Sequence, residues 1–259
     1  QIDHDNRPEF IEAEILRTSL ASVILRMESQ HLGKLENFPF MELPSERAIR
    51  NGQRLLIELG ALDEHQSITK LGKKLARFPL DPRLARIVLA ADELSCLESC
   101  LPIIAALASR DPRDAPEELR QLANEKHKKW TAKNSEFASF AMIWRDWLPI
   151  RKLGQSKQRA WCKANFLSWI RMREWSDTMN QLERTCKDLS LTISQKLSID
   201  NNELEQALLA GFLGNIAQLN EHGEYLGTRG KKLLLHPSSR LRATPPKWIV
   251  AADLVDTSR

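Results

Sequence analysis

Apolar residues recur every three or four positions through most of the first three quarters of this chain, and that period is helical. Residues 14–30 carry Ile15, Leu16, Leu20, Val23, Ile24 and Met27 on one side, and Gly33 breaks the run. Pro39 and Pro44 bracket a turn. Ser45 is an N-cap for a helix whose stripe is read as Ala48, Gly52, Leu55 and Leu59, with Gly60 closing it. Leu55, Leu56, Leu59 and Leu62 are expected in the core. Residues 61–68 read as two very short strands around Asp63-Glu64-His65-Gln66, and Thr69 caps a further helix through Arg77. Three helices beside a small hairpin describe a winged helix.

Pro79 and Pro82 mark a boundary, and Pro82 suits a first helical position. Leu84, Ile87, Val88 and Ala91 stripe the helix that follows. Residues 96–109 are almost wholly apolar, and Pro102 among them should kink that helix or delay its start. After a loop at 111–116, residues 117–133, 135–148 and 156–189 are helical, the last with a break. Beyond Ser190 the pattern changes. One more helix covers 204–212, and then five glycines from Gly211 to Gly230 separate short apolar runs. Strands are expected at 215–219, 233–235 and 248–255. The class is therefore mainly α with a small β part.

At 259 residues the chain holds two domains, or three small ones. No apolar run reaches the about 18 residues of a membrane helix, and the polar, acidic start lacks a secretory pattern. A missing initiator Met fits an excised fragment. Four cysteines make no disulfide scaffold and point to a reducing compartment, the cytoplasm. Cys96 and Cys100 lie four apart, but no second ligand pair follows, so burial is expected rather than a metal site. There is no P-loop, dinucleotide fingerprint, H-E-x-x-H or G-x-S-x-G. The residues describe a binding or scaffolding chain.

Two features bear on what it binds. The net charge is only +4, but from Tyr225 to Ala252 there is no acid, while Arg229, Lys231, Lys232, Arg240, Arg242 and Lys247 are cationic. A field of one sign attracts phosphate; the plainer reading is a solvated basic face. Seven tryptophans are many for this length. Trp130, Trp144, Trp147, Trp161, Trp169 and Trp175 lie among helical aromatic neighbours and are assigned to the core. Trp248 follows Pro245-Pro246-Lys247 in the acid-free stretch, where stacking on a base is open to it.

Several stretches resemble the region that follows the second RecA-like domain in DEAH-box helicases. They are RPEF, EILRTSLASVILRM, FPFMELPSERAIRNGQRLLIELGAL and Ile68-Thr69-Lys70-Leu71-Gly72 running into KKLARFPLDPRLARIVLAA. CLESCLPIIAALASRDPR, LLHPSSRL and PPKWIVAADLVDTSR continue the likeness. The signature from Leu71 to Arg86 is specific. KHKKWTAKNSEFASFAMIWRDW stands where eukaryotic relatives carry a G-D-H loop, and with RAWCKANFLSWIRMREWSDTMNQL it is similar to bacterial HrpA-type enzymes. That departure withholds eukaryotic partners such as G-patch activators.

The resemblance implies the tail of the second RecA-like domain or a linker at 1–13, a winged helix at 14–80, a helical-bundle ratchet domain at 81–190 and an OB-fold β-barrel at 191–259. The family runs on past Arg259, so the barrel is expected to lack its last strand. It implies an accessory module of a 3′–5′ ATP-dependent RNA helicase that guides single-stranded RNA, with DNA as the alternative strand, through a tunnel closed against RecA-like domains. ATP and Mg would belong to the parent enzyme's motor; no cofactor, catalytic residue, metal, membrane or homo-oligomer is expected of this chain. Thr257, Ser258 and Arg259 match the family's terminal motif, and Lys231, Lys232, Ser238 and Ser239 its basic strand and following loop. With Lys247 and Trp248 these are the candidate RNA contacts. Two other classes stay open: a winged-helix regulator of duplex DNA, and a protein-interaction scaffold.

Overall fold

The computed structural model describes residues 20–40, 44–132, 135–193, 202–237 and 239–255. Ile15, Leu16, Ser238, Thr257, Ser258 and Arg259 lie outside the described residues, as does the 1–13 linker. The chain forms two compact units, Gln1–Ala85 and Arg86–Arg259.

In the first unit, α1 (Leu20–Ser29) crosses α2 (Glu46–Glu58). Leu20, Ala21, Ile24, Leu25 and Met27 are buried on α1, and Ile49, Gly52 and Leu56 on α2. The crossing point is Gly52. A Cβ there would sit 3.0 Å from Ile24 Cδ1 and 3.1 Å from the Ala21 nitrogen, so a larger residue would push the helices apart. The buried face of α2 differs from the expected stripe: Ile49 and Leu56 go inside, while Ala48 and Leu55 are half-buried. Both pairs lie three or four residues from Gly52, so spacing alone fits either, and the helix crossing decides. Ser45 caps α2, its hydroxyl accepting from Ala48 N–H at 3.3 Å.

The expected pair of strands at 61–68 is reduced to one bridge, Leu62 to Ile68. The loop is closed instead by Asp63, whose Oδ1 accepts from the N–H groups of His65 (2.9 Å) and Ser67 (2.8 Å). α3 (Lys70–Leu75) then starts at Thr69. The Thr69 hydroxyl accepts from Gly72 N–H at 2.9 Å and donates to the Gly60 carbonyl at 2.6 Å. Gly72 presses on the preceding turn; a Cβ there would overlap the Ala61 carbonyl. These contacts pin one face of α3, and the helix ends at Leu75, two residues short of Arg77.

The second unit is helical before it is β. The division between the units falls within α4 (Pro82–Glu93), which begins at its proline as expected. α5 (Leu97–Leu107) is buried almost all round. Its start is not delayed to Pro102, which lies inside it, and the Pro102 carbonyl accepts from Trp175 Nε1 at 3.0 Å. α7 (Glu136–Ile150) and α9 (Trp169–Asp188) pack on α5. Between 117 and 130 the expected single helix is broken into α6 (Arg120–His127) flanked by 3-10 turns. α8 (Gln155–Ala164) is separated from α9 by a turn in which Phe166 takes a positive φ of 51° and Ser168 caps.

Trp130, Trp144, Trp147 and Trp175 fill this core, while Trp161 and Trp169, also assigned to it, are half-buried. Trp144 and Trp175 lie 5.2 Å apart, Trp147 and Trp161 5.6 Å, and Trp130 and Trp161 6.1 Å. A buried indole needs an acceptor for its N–H. Trp130 donates to Asp146 Oδ2 (2.8 Å), Trp147 to Ser176 Oγ (2.9 Å) and Trp175 to Pro102. The four cysteines are buried free thiols. Burial pushes Cys162 and Cys186 up to about 12 and raises Cys96 and Cys100, so none is a thiolate near neutral pH.

α10 (Asn202–Phe212) leads into a four-stranded antiparallel sheet: β1 (Ile216–Leu219), β2 (Tyr225–Gly227), β3 (Lys232–Leu233) and β4 (Trp248–Val250), in the order β3-β2-β1-β4. β2 was not anticipated, while β3 and β4 are shorter than expected. The β1–β2 turn is closed by Asn220, whose Oδ1 accepts from the His222 and Glu224 N–H groups at 2.9 Å each. Tyr225 and Ala217 are buried on one face, and Tyr225 Oη donates to the Pro246 carbonyl at 2.7 Å. The fold is mainly α with this small sheet.

Candidate nucleic-acid interface

Paired residues in a sheet share a face, and the face reverses at each step along a strand. The register pairs Lys232 with Leu226, Leu226 with Gln218, and Gln218 with Trp248. These four form one cross-strand row. Every member is exposed, Leu226 by 43% and Trp248 by 56%. Ala217 and Tyr225, one step along, belong to the buried face. At about 4.8 Å per strand the row is about 14 Å long, with a cation at one end and an indole at the other.

Two of the sequence candidates, Lys232 and Trp248, are thus brought together. Leu226 and Gln218 were missed; nothing marks them until the register is known. Lys247 is exposed beside Trp248, and its carbonyl accepts from Leu219 N–H at 2.9 Å. By alternation its side chain leaves on the opposite face. Lys231 is exposed one step from Lys232, and its carbonyl accepts from Gly227 N–H at 2.8 Å.

The acid-free stretch is not free of acids in space. Glu224, just before it, pairs with Lys232 at 3.0 Å, and that contact holds its carboxyl below the usual range. Glu136, at the start of α7, accepts at Oε1 from Arg240 N–H (2.9 Å) and Ser239 Oγ–H (3.3 Å). The Ser239 hydroxyl also accepts from Leu241 N–H, capping the 3-10 turn Arg240–Ala243. Ser239 therefore anchors its loop to the helical bundle. The Lys232–Glu224 pair is exposed and salt-screened, so a phosphate can compete for the ammonium.

Among the described residues no group of His, Cys, Asp and Glu could hold a metal, and no helix is long and apolar enough to cross a membrane. A small sheet that offers a cation and an exposed indole presents groups on which a nucleic-acid strand can rest. Comparison with known families agrees. The helicase-associated (HA2) winged-helix pattern matches residues 53–80, the HA2 ratchet-like pattern 81–143, and the oligonucleotide/oligosaccharide-binding (OB) fold 204–259.

Curated relatives narrow the class. Over 266 residues the chain is 39% identical to the ATP-dependent RNA helicase HrpA homolog of Haemophilus influenzae. Over 264 residues it is 40% identical to the ATP-dependent RNA helicase HrpA of Escherichia coli. Each alignment takes in 99% of this chain and 20% of the relative, so the chain spans one fifth of the length of the curated relatives it matches. The chain therefore matches the part of HrpA-type helicases that carries the helicase-associated and OB modules.

Proposed function

We propose that this chain guides single-stranded RNA for an ATP-dependent 3′–5′ RNA helicase, and that the strand passes over the exposed row of the sheet. The row itself carries this reading. Trp248 offers a face on which a base of any identity can stack, Lys232 a cation for the backbone, and Leu226 and Gln218 a floor between them. Such contacts tolerate sequence, as a translocating enzyme needs. RecA-like domains of the same protein are the partners that would complete a tunnel. They would also hold ATP and magnesium; this chain lacks a phosphate-binding loop and by itself should not hydrolyse ATP. The reading places the protein in the cytoplasm, acting as a monomer, with DNA an acceptable strand if the 2′-hydroxyl is not read.

Titration of a fluorescent unstructured strand tests it, at low and moderate salt. Trp248→Ala should weaken binding by about 1–3 kcal/mol, the usual worth of one base–aromatic stack. Lys232→Ala should lower the slope of log affinity against log salt by about 0.7, the value for one phosphate contact on a single strand. Equal binding by wild type and both variants would remove the sheet from the strand's path.

A further inference from the structure

A second cationic feature lies in the winged-helix unit, and nothing above uses it. Lys70, Lys73 and Lys74 stand on α3, and Arg77 follows its C-cap, Ala76. The offsets of three and four residues put Lys70, Lys73 and Lys74 on one helical face, Arg77 follows in the turn that ends the helix, and all four are exposed. The opposite face is held by Gly72 against Ala61 and by buried Leu75, so the stripe is fixed outward. No acid occurs between Glu64 and Asp81. None of the four makes an ion pair with a described residue, unlike Arg50 with Glu46, Lys128 with Glu125 and Lys232 with Glu224. Like charges at these spacings repel and weaken the helix that carries them. Four unpaired cations on a pinned helix and the turn that ends it make a surface that is improved by an anionic partner.

The contrast with the sheet indicates which partner. The row from Lys232 to Trp248 joins a cation to an exposed indole and suits an unpaired strand. The α3 stripe has no exposed aromatic; Phe78 beside it is buried. Without a stacking platform, a flexible strand gains little beyond charge. A duplex presents phosphates on a rigid frame, at one charge per about 1.7 Å of axis. From Lys70 to Arg77 the patch runs about 10 Å at about 1.5 Å per residue, an axial length over which such a duplex carries about six charges on its two strands together.

We infer that α3 docks on the phosphate backbone of base-paired RNA, without reading bases, while the sheet handles the unpaired strand. The division of labour rests on the proposed function; the duplex contact does not. Two labelled probes separate them by anisotropy: a blunt RNA hairpin and an unstructured oligouridine. Lys70→Ala/Lys73→Ala/Lys74→Ala replaces exposed lysines with a strong helix former, so the fold is retained, as circular dichroism would verify. Its salt slope for the hairpin should fall by about 2.7, at about 0.9 per lost contact, and oligouridine binding should stay as in wild type. Lys73→Glu/Lys74→Glu should deepen the hairpin loss. Trp248→Ala should do the reverse, losing oligouridine and keeping the hairpin. An unchanged hairpin titration in the lysine variants would overturn the inference and leave the stripe for an acidic protein surface. Equal loss on both probes would overturn it too, as general attraction to polyanions. Wild type binding the hairpin but not oligouridine would sink the sheet proposal and keep this one.

Discussion

Trp175 and Trp248 are the same residue put to opposite uses. Trp175 lies wholly inside the helical bundle, its N–H bound to the Pro102 carbonyl and its ring against Phe140 and Trp144. Trp248 stands on a three-residue strand with more than half its surface in solvent. The tryptophan count therefore says nothing about nucleic acid by itself. What separates the two is whether the protein supplies the ring with neighbours. The bundle does so by interleaving aromatics from α7, α8 and α9. The sheet sets Trp248 beside Gln218 in the exposed row.

The comparison breaks first at stability. Trp175→Ala should cost about 3–5 kcal/mol of unfolding free energy, as for other large aromatics removed from a core. Trp248→Ala should stay within about 0.5 kcal/mol of wild type, as for a surface change. Urea denaturation measures both, and comparable losses would mean that Trp248 belongs to a core. A finer cut is Ser176→Ala. Ser176 is the acceptor for Trp147 Nε1, and its loss leaves a buried donor unpaired, at about 1–3 kcal/mol. No such effect is expected from Gln218→Ala on the sheet, whose side chain is exposed.

Local signals were the legible ones. Ser45 and Thr69 could be read as caps because an N-cap side chain answers an N–H only three residues on, and each does so. Pro82 opens its helix for the same local reason. Features decided by distant parts of the chain were not legible. Gly52 permits two stripes on α2, and only its crossing with α1 selects Ile49 and Leu56. Leu226 and Gln218 join Lys232 and Trp248 through strand pairing, which no single segment encodes. β2 is three residues between polar turns, too short for its alternation to show. The stretch from Tyr225 to Ala252 looked unipolar because Glu224 and Glu136, which reach into it, lie outside its bounds in sequence.

The smallest effect concerns His127, and it again divides the bundle from the sheet. His127 is buried beside Trp130, and its Nε2 lies 2.8 Å from the Asn165 carbonyl, which fits a neutral ring donating from that nitrogen. Burial lowers its pKa, and the charges of Arg113 and Arg240 lower it further, against the opposing pull of the Asn165 carbonyl. The unfolded chain therefore takes up a proton at about 6.5 while the folded chain still resists it. Stability from this group is complete above that pH and falls as pH drops toward the lower folded value. Denaturation midpoints from about pH 7.5 down to about pH 5.5 should decline more steeply in wild type than in His127→Gln, which keeps a donor for Asn165 but carries no proton. Oligouridine binding over the same range, where the folded protein persists, should not distinguish the two proteins, because the sheet row contains no histidine. A parallel pH dependence of binding, abolished in His127→Gln, would show that the bundle governs the sheet face and that the two regions do not act apart.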